Sequence, residues 1–251
     1  MTPLMTAKAG GPVKWADELL LVPASVLMAL VWLLPNHHLP WLSFHHEIWM
    51  AAVIVVTVAL VGWQTRWRVQ VPGVAVLVLW LALLPFAQYA GGLLTKHGVG
   101  LVGAFYLLVF FAALVVGCSS HDAKGNIFWR VVFAAIALAA LLNVAVQLIQ
   151  WQKLHDGNYL SFIGFWVSRA ADPSRPYGSL MQPNQLATLL VWGFVAVLWL
   201  YEVRQVRLVV LLMALPALAF GLSLTQSRAG MLELLLLSGL ALWVPPSGQR
   251  R

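Results

Sequence analysis

The chain has 251 residues, 61% hydrophobic and 9% charged, with a mean hydropathy of +0.85. That balance excludes an ordinary soluble domain and points to an integral membrane protein. The net charge of +7 comes from basic residues scattered in short loops, with no stripe of stacking aromatics. It therefore argues against a nucleic-acid partner and reads as topology signal and contact for anionic lipid. A single cysteine, Cys118, excludes an intramolecular disulfide and a cysteine zinc cluster.

A helix needs about 20 apolar residues to cross a bilayer. Eight segments approach this: 18–34, 48–63, 71–89, 101–118, 127–151, 186–201, 208–224 and 229–244. The expected fold is all-α integral membrane, a single polytopic domain over 1–251 with about eight transmembrane helices. The first run follows Lys8 and Lys14 like a signal peptide. However, Asp17 and Glu18 flank it and Pro35-Asn36-His37-His38 replaces a cleavage site, so it reads as an uncleaved span. Pro85 and Pro216 fall inside spans and predict kinks.

With the N-terminus inside, ten Lys and Arg lie on inner segments and five on outer ones (Lys96, Lys153, Arg169, Arg175 and Arg228). The bias predicts both termini in the cytoplasm. In a bacterium the outer loops then face the periplasm.

The first outer loop carries His37, His38, His45 and His46. Imidazole is a common metal ligand, but Glu47 is the lone nearby carboxylate, and a histidine-bearing interfacial loop is the preferred reading. On the fifth span, Asn143, Gln147 and Gln150 form a polar stripe at i, i+4 and i+7. Two readings stand: hydrogen bonds between helices, or the lining of a cavity.

The long outer loop, 152–185, holds Tyr159, Phe162, Ile163 and Trp166 at i, i+3, i+4 and i+7. This spacing predicts a short helix lying on the interface, or packing filler. Two polar inserts follow. The first is Arg175-Pro176-Tyr177-Gly178-Ser179-Leu180-Met181-Gln182-Pro183-Asn184-Gln185; the second is Thr225-Gln226-Ser227-Arg228-Ala229-Gly230. Both are expected on one side of the membrane. A guanidinium binds phosphate oxygens in two-point fashion, and a helix start favours an anion, so Arg228 and Arg175 suit a pyrophosphate. Gln182 and Asn184 suit sugar hydroxyls or an acceptor. The plainer alternatives are a snorkelling Arg228 and helix caps at Gln182 and Asn184. Glu233, a carboxylate inside the last span, is either functional or paired with another helix. The sequence shows no P-loop, no Gly-x-Ser-x-Gly and no His-Glu-x-x-His, and no cofactor or metal is expected.

The Gly178-x-x-x-Gln182-x-Asn184 turn before a span, then Ser227-Arg228-x-Gly230 two spans later, resembles the O-antigen ligase and protein O-oligosaccharyltransferase superfamily, in its protein glycosylation ligase branch. The resemblance implies a GT-C-like membrane glycosyltransferase. It implies en bloc transfer of a glycan from undecaprenyl pyrophosphate, without metal, to a periplasmic protein Ser/Thr or to lipid A core. Arg228 matches the family's pyrophosphate-binding arginine, and Gln182 and Asn184 match its polar loop residues. Arg175, Ser227 and Tyr177 complete the candidate donor site, and the catalytic residue is unassigned. The family continues into a large periplasmic loop with an essential histidine, whereas here no histidine follows His155. The expectation is the N-terminal part of such an enzyme, from a truncated or frameshifted gene. The competing readings are a non-catalytic membrane fragment that binds lipid-linked glycan and, more weakly, a transporter. The latter class usually shows repeat symmetry and broken helices that this sequence lacks.

Overall fold

The computed structural model describes residues 15–243, apart from 36–37, 39–42, 65, 95, 120–124, 155–157, 159 and 171. Among the described residues there are nine helices and no strand. They are α1 (Trp15–Leu33), α2 (Phe44–Gln64), α3 (Gly73–Ala90), α4 (His97–Ser119), α5 (Gly125–Trp151), α6 (Phe162–Trp166), α7 (Pro183–Glu202), α8 (Leu208–Thr225) and α9 (Arg228–Trp243). The eight long helices coincide with the eight apolar segments. Six are long and apolar enough to cross a membrane; Leu21–Leu33 of α1 is a shorter apolar stretch, and α9 has 16 residues. The chain is an all-α, multi-pass membrane protein. Pro23, Pro85 and Pro216 all lie inside helices.

Several helices begin three or four residues earlier than the apolar runs, and the start of α2 matters most. Helix α2 begins at Phe44, so His45 and His46 belong to its first turn and not to a loop. Glu47 lies in that same turn.

The core is built from α1, α5, α7 and α8. Its buried residues include Ala29, Ala139, Ala140, Leu186, Leu190, Val191, Leu218 and Leu222. Alanines such as Ala139 and Ala140 stand among the leucines and valines of this core, and with the glycines they let backbones approach closely, which matters because lipid tails are as apolar as leucine. At Gly193 of α7, an added Cβ would stand 2.6 Å from the Ala140 Cβ of α5. At Gly230 of α9 it would stand 2.6 Å from the Ala187 Cβ of α7. Helices α3 and α4 form a hairpin that joins the bundle through α2.

Because the α5–α7 contact has no room for a methyl group, Gly193→Leu should destabilise the bundle by about 1–3 kcal/mol, the usual cost of overpacking. In contrast, Gly239→Ala inside α9, whose Cβ would meet nothing within 4 Å, should not lower stability and should raise it by up to about 1 kcal/mol. Thermal unfolding in detergent compares the two.

Candidate functional site

The first insert is irregular backbone packed against helices. Within it Pro176, Tyr177, Gly178 and Ser179 are buried, so each backbone N–H and C=O needs a protein partner. The α5 stripe supplies most of them, and Leu180 N–H pairs with Tyr177 C=O. Asn143, Gln147 and Gln150 are each 0% exposed. Gln150 accepts from the backbone N–H of Tyr177 (3.1 Å) and Gly178 (2.9 Å), and donates to the carbonyls of Gly178 (3.0 Å) and Ser168 (3.1 Å). Asn143 accepts from Ser179 N–H at 2.7 Å and donates to Trp32 C=O of α1 at 3.1 Å. Gln147 donates to Pro176 C=O (3.3 Å) and to Gly221 C=O of α8 (3.2 Å). The stripe is thus a mould for the insert, and through Trp32 and Gly221 it also ties helices together. Gly178 is the point of closest approach. Its φ is +61°, and a Cβ there would lie 2.4 Å from Asn143 Oδ1.

Tyr177 is buried, with its ring turned into the loop. Its hydroxyl donates to Arg169 C=O at 2.8 Å and receives Ser168 Oγ–H at 3.3 Å. Gln182 stands at the N-cap position of α7 but makes no side-chain cap, and Pro183 occupies the first turn. Gln182 and Asn184 are both exposed at the start of α7. The plain capping reading therefore fails for Gln182.

The second insert joins α8 to α9. Gln226 closes α8 in the left-handed conformation, with φ 51°. Ser227 is buried, and its Oγ accepts Gly230 N–H at 3.2 Å, which makes it the cap of α9. Arg228 follows as the first, exposed residue of α9.

The two inserts touch. Arg175 Nε donates to Thr225 C=O at 3.2 Å, and Gln226 Nε2 donates to Ser174 C=O at 3.0 Å. These two bonds place Arg175 against the segment that presents Arg228, at one end of the bundle. The sequence reading missed the linking roles of Thr225 and Gln226; no spacing rule signals a contact 50 residues apart in the chain. Asp172 shapes the approach to Arg175. It accepts from Ser174 Oγ (2.7 Å) and Ser174 N–H (2.9 Å), which, with the Arg175 charge, hold its carboxyl below the usual aspartate range.

A short helix does form in this loop, α6, capped by Ser161 accepting Gly164 N–H at 2.9 Å. Phe162, Ile163 and Phe165 are exposed on it; Tyr159 lies outside the described residues. His38, which precedes α2, stacks on Phe165 of α6 with centroids 4.9 Å apart. His37 lies outside the described residues. Glu233 of α9 accepts from Thr188 of α7 at 3.2 Å, the interhelical pair that was one of its two readings.

Together these features define a multi-pass membrane protein with a polar face of arginine and carboxamide at one end. Residues 176–201, the first insert and α7, match the family model described as protein glycosylation ligase. Over 212 residues, 84% of this chain, the sequence is 28% identical to the general O-oligosaccharyltransferase of Acinetobacter baylyi. The chain spans about 36% of the length of that relative. The resemblance carried by the motifs is thus borne out. No solved structure matches the chain.

Gln150→Leu removes the partner of two buried N–H groups. Each orphaned group costs about 1–3 kcal/mol, so amide exchange at Tyr177 and Gly178 should accelerate by at least about tenfold. Asp172 behaves differently. Its lowered pKa means its contribution to the turn is present above the ordinary aspartate range and is lost as pH falls through the depressed value. Protection of the Ser174 amide, its exchange measured against the intrinsic rate at each pH, should stay constant from neutral pH down through the usual aspartate range and fall only below it.

Proposed function

We propose that this chain binds a glycan carried on undecaprenyl pyrophosphate and serves its en bloc transfer to a periplasmic protein Ser/Thr or to lipid A core, as a protein glycosylation ligase. The observation that carries this reading is the contact between the two inserts, which sets Arg175 beside the segment that opens with Arg228. Two guanidinium groups on one face suit a diphosphate. Arg175 spends its Nε on Thr225, and its two Nη groups have no hydrogen-bond partner among the described residues. Arg228 has no partner among them either. The first N–H groups of α9 add a positive helix end. As the glycan leaves, negative charge grows on the pyrophosphate, and fixed cations stabilise that state more than the bound donor.

Gln182 and Asn184, exposed on the same insert, are the proposed contacts for sugar or acceptor hydroxyls. Tyr177 and Ser227 serve indirectly. The first anchors the loop through Arg169 C=O and Gln150, and the second caps the helix that presents Arg228. The basic-residue bias supports cytoplasmic termini, and with the ligase reading it gives an inner-membrane location and a periplasmic site.

Arg228→Ala and Arg175→Ala should each weaken binding of the polyprenyl-pyrophosphate glycan by about tenfold or more, the value of a charge-assisted hydrogen bond. Binding is measured on protein in lipid nanodiscs. Unchanged affinity in both variants would remove the insert face from the donor site. Expression in cells that make the donor but lack their own ligase tests turnover. A glycan-sized mass increase on the acceptor that Arg228→Ala abolishes supports transfer; donor binding without that increase supports the non-catalytic alternative.

A further inference from the structure

A cavity borders the first insert at Leu180 and Gln185. Its volume is about 410 Å³, within the range of ligand sites, and α1, α2, α4 and α7 wall it. Its polar groups gather toward the starts of α2 and α7. Glu47 lies in the first turn of α2, and Gln185 and Thr188 lie in the first turns of α7. From Gln185 the wall runs to Trp192, about 10 Å along α7 at 1.5 Å per residue. Leu189, Phe105 and Met50 make the inner part apolar.

The charge here is opposite to that of the arginine face. Glu47 accepts hydrogen bonds from the Ser43 and Tyr106 hydroxyls. His46 donates its Nε2–H to Leu34 C=O, which fixes its ring at the cavity wall. Thr188 gives its hydroxyl proton to Glu233, so a second carboxylate stands one hydrogen bond behind the wall. The Gln185 side chain has no hydrogen-bond partner among the described residues, and it lines the cavity with both a donor and an acceptor. An anionic head would meet the like charge of Glu47 at the cavity wall, which is unfavourable. A neutral hydroxylated head would meet groups that already bind hydroxyls, while an apolar chain fills the space toward Trp192.

We propose that this cavity is a binding site for an amphiphile with an apolar chain and a neutral, hydroxyl-bearing head. It is distinct from the pyrophosphate face: neither Arg175, Arg228, Gln182 nor Asn184 lines it. Glu47 selects against anionic heads, and Gln185 orients the hydroxyls.

The test uses two probes with the same photoreactive alkyl chain, an alkyl glucoside and an alkyl phosphate, on the full chain in nanodiscs. Labelled positions are mapped by mass spectrometry. The glucoside should label the α2, α4 and α7 walls saturably and at least about fivefold more than the phosphate, as one hydrogen bond or one repulsion of ordinary size requires. Gln185→Leu should lower glucoside labelling. The near-isosteric Glu47→Gln should raise phosphate labelling and narrow the gap. Equal labelling by both probes, absence of saturable labelling, or labelling that neither substitution alters would overturn the proposal. The readout involves no donor and no transfer, so it stands or falls apart from the arginine face.

Discussion

Gln150 holds both sides of the Tyr177–Gly178 peptide region, and the rest of the site depends on that grip. In water an exposed loop can turn its N–H and C=O groups to solvent. A buried loop at the end of a helical membrane bundle cannot, and unpaired groups there cost several kcal/mol each. Three carboxamides on one face of α5 solve the problem because each carries donors and an acceptor. They take the first insert into the bundle as if it were a further strand of structure. Once that insert is fixed, Ser174 C=O and the Arg175 side chain stand where the α8–α9 turn can meet them. The left-handed backbone at Gln226 is sustained by the same contact, since its side chain reaches Ser174.

This arrangement separates two roles that the motif residues share on paper. Tyr177, Gly178 and Ser227 face inward and shape the backbone, whereas Arg228, Gln182 and Asn184 face outward and are open to a ligand. Arg175 does both, with Nε spent on structure and its remaining donors at the surface. Small residues set the scale of the whole. Gly193, Gly221 and Gly230 let α7, α8 and α9 approach their neighbours so closely that an added Cβ would fall within 3 Å of a neighbouring side-chain atom. The polar ends of these helices are therefore brought within reach of one another.

Much of this was legible in the sequence. Apolar run lengths gave the eight long helices, and for six of them the run is also long enough to match the thickness of a bilayer. The i, i+4, i+7 spacing of Asn143, Gln147 and Gln150 gave a polar stripe, but not its partner. Neither helix–helix bonding nor cavity lining alone describes it, since it chiefly binds loop backbone, whose position no side-chain pattern reveals. The start of α2 was placed late because His45 and His46 read as polar loop, while Ser43 and Glu47, bonded to each other, open the helix there. The contact between Arg175 and Thr225 and the cavity beside Gln185 arise from tertiary packing, to which a local pattern is blind.

The central claim is that the α5 carboxamides hold the two inserts together. A chain with Cys118 replaced by alanine, and cysteines in place of Ser174 and Gln226, tests it directly. Mild oxidation in nanodiscs should form the 174–226 disulfide readily in this background and much more slowly when Gln150→Leu is added. Failure to cross-link in the first background, or equal rates in both, would contradict the account.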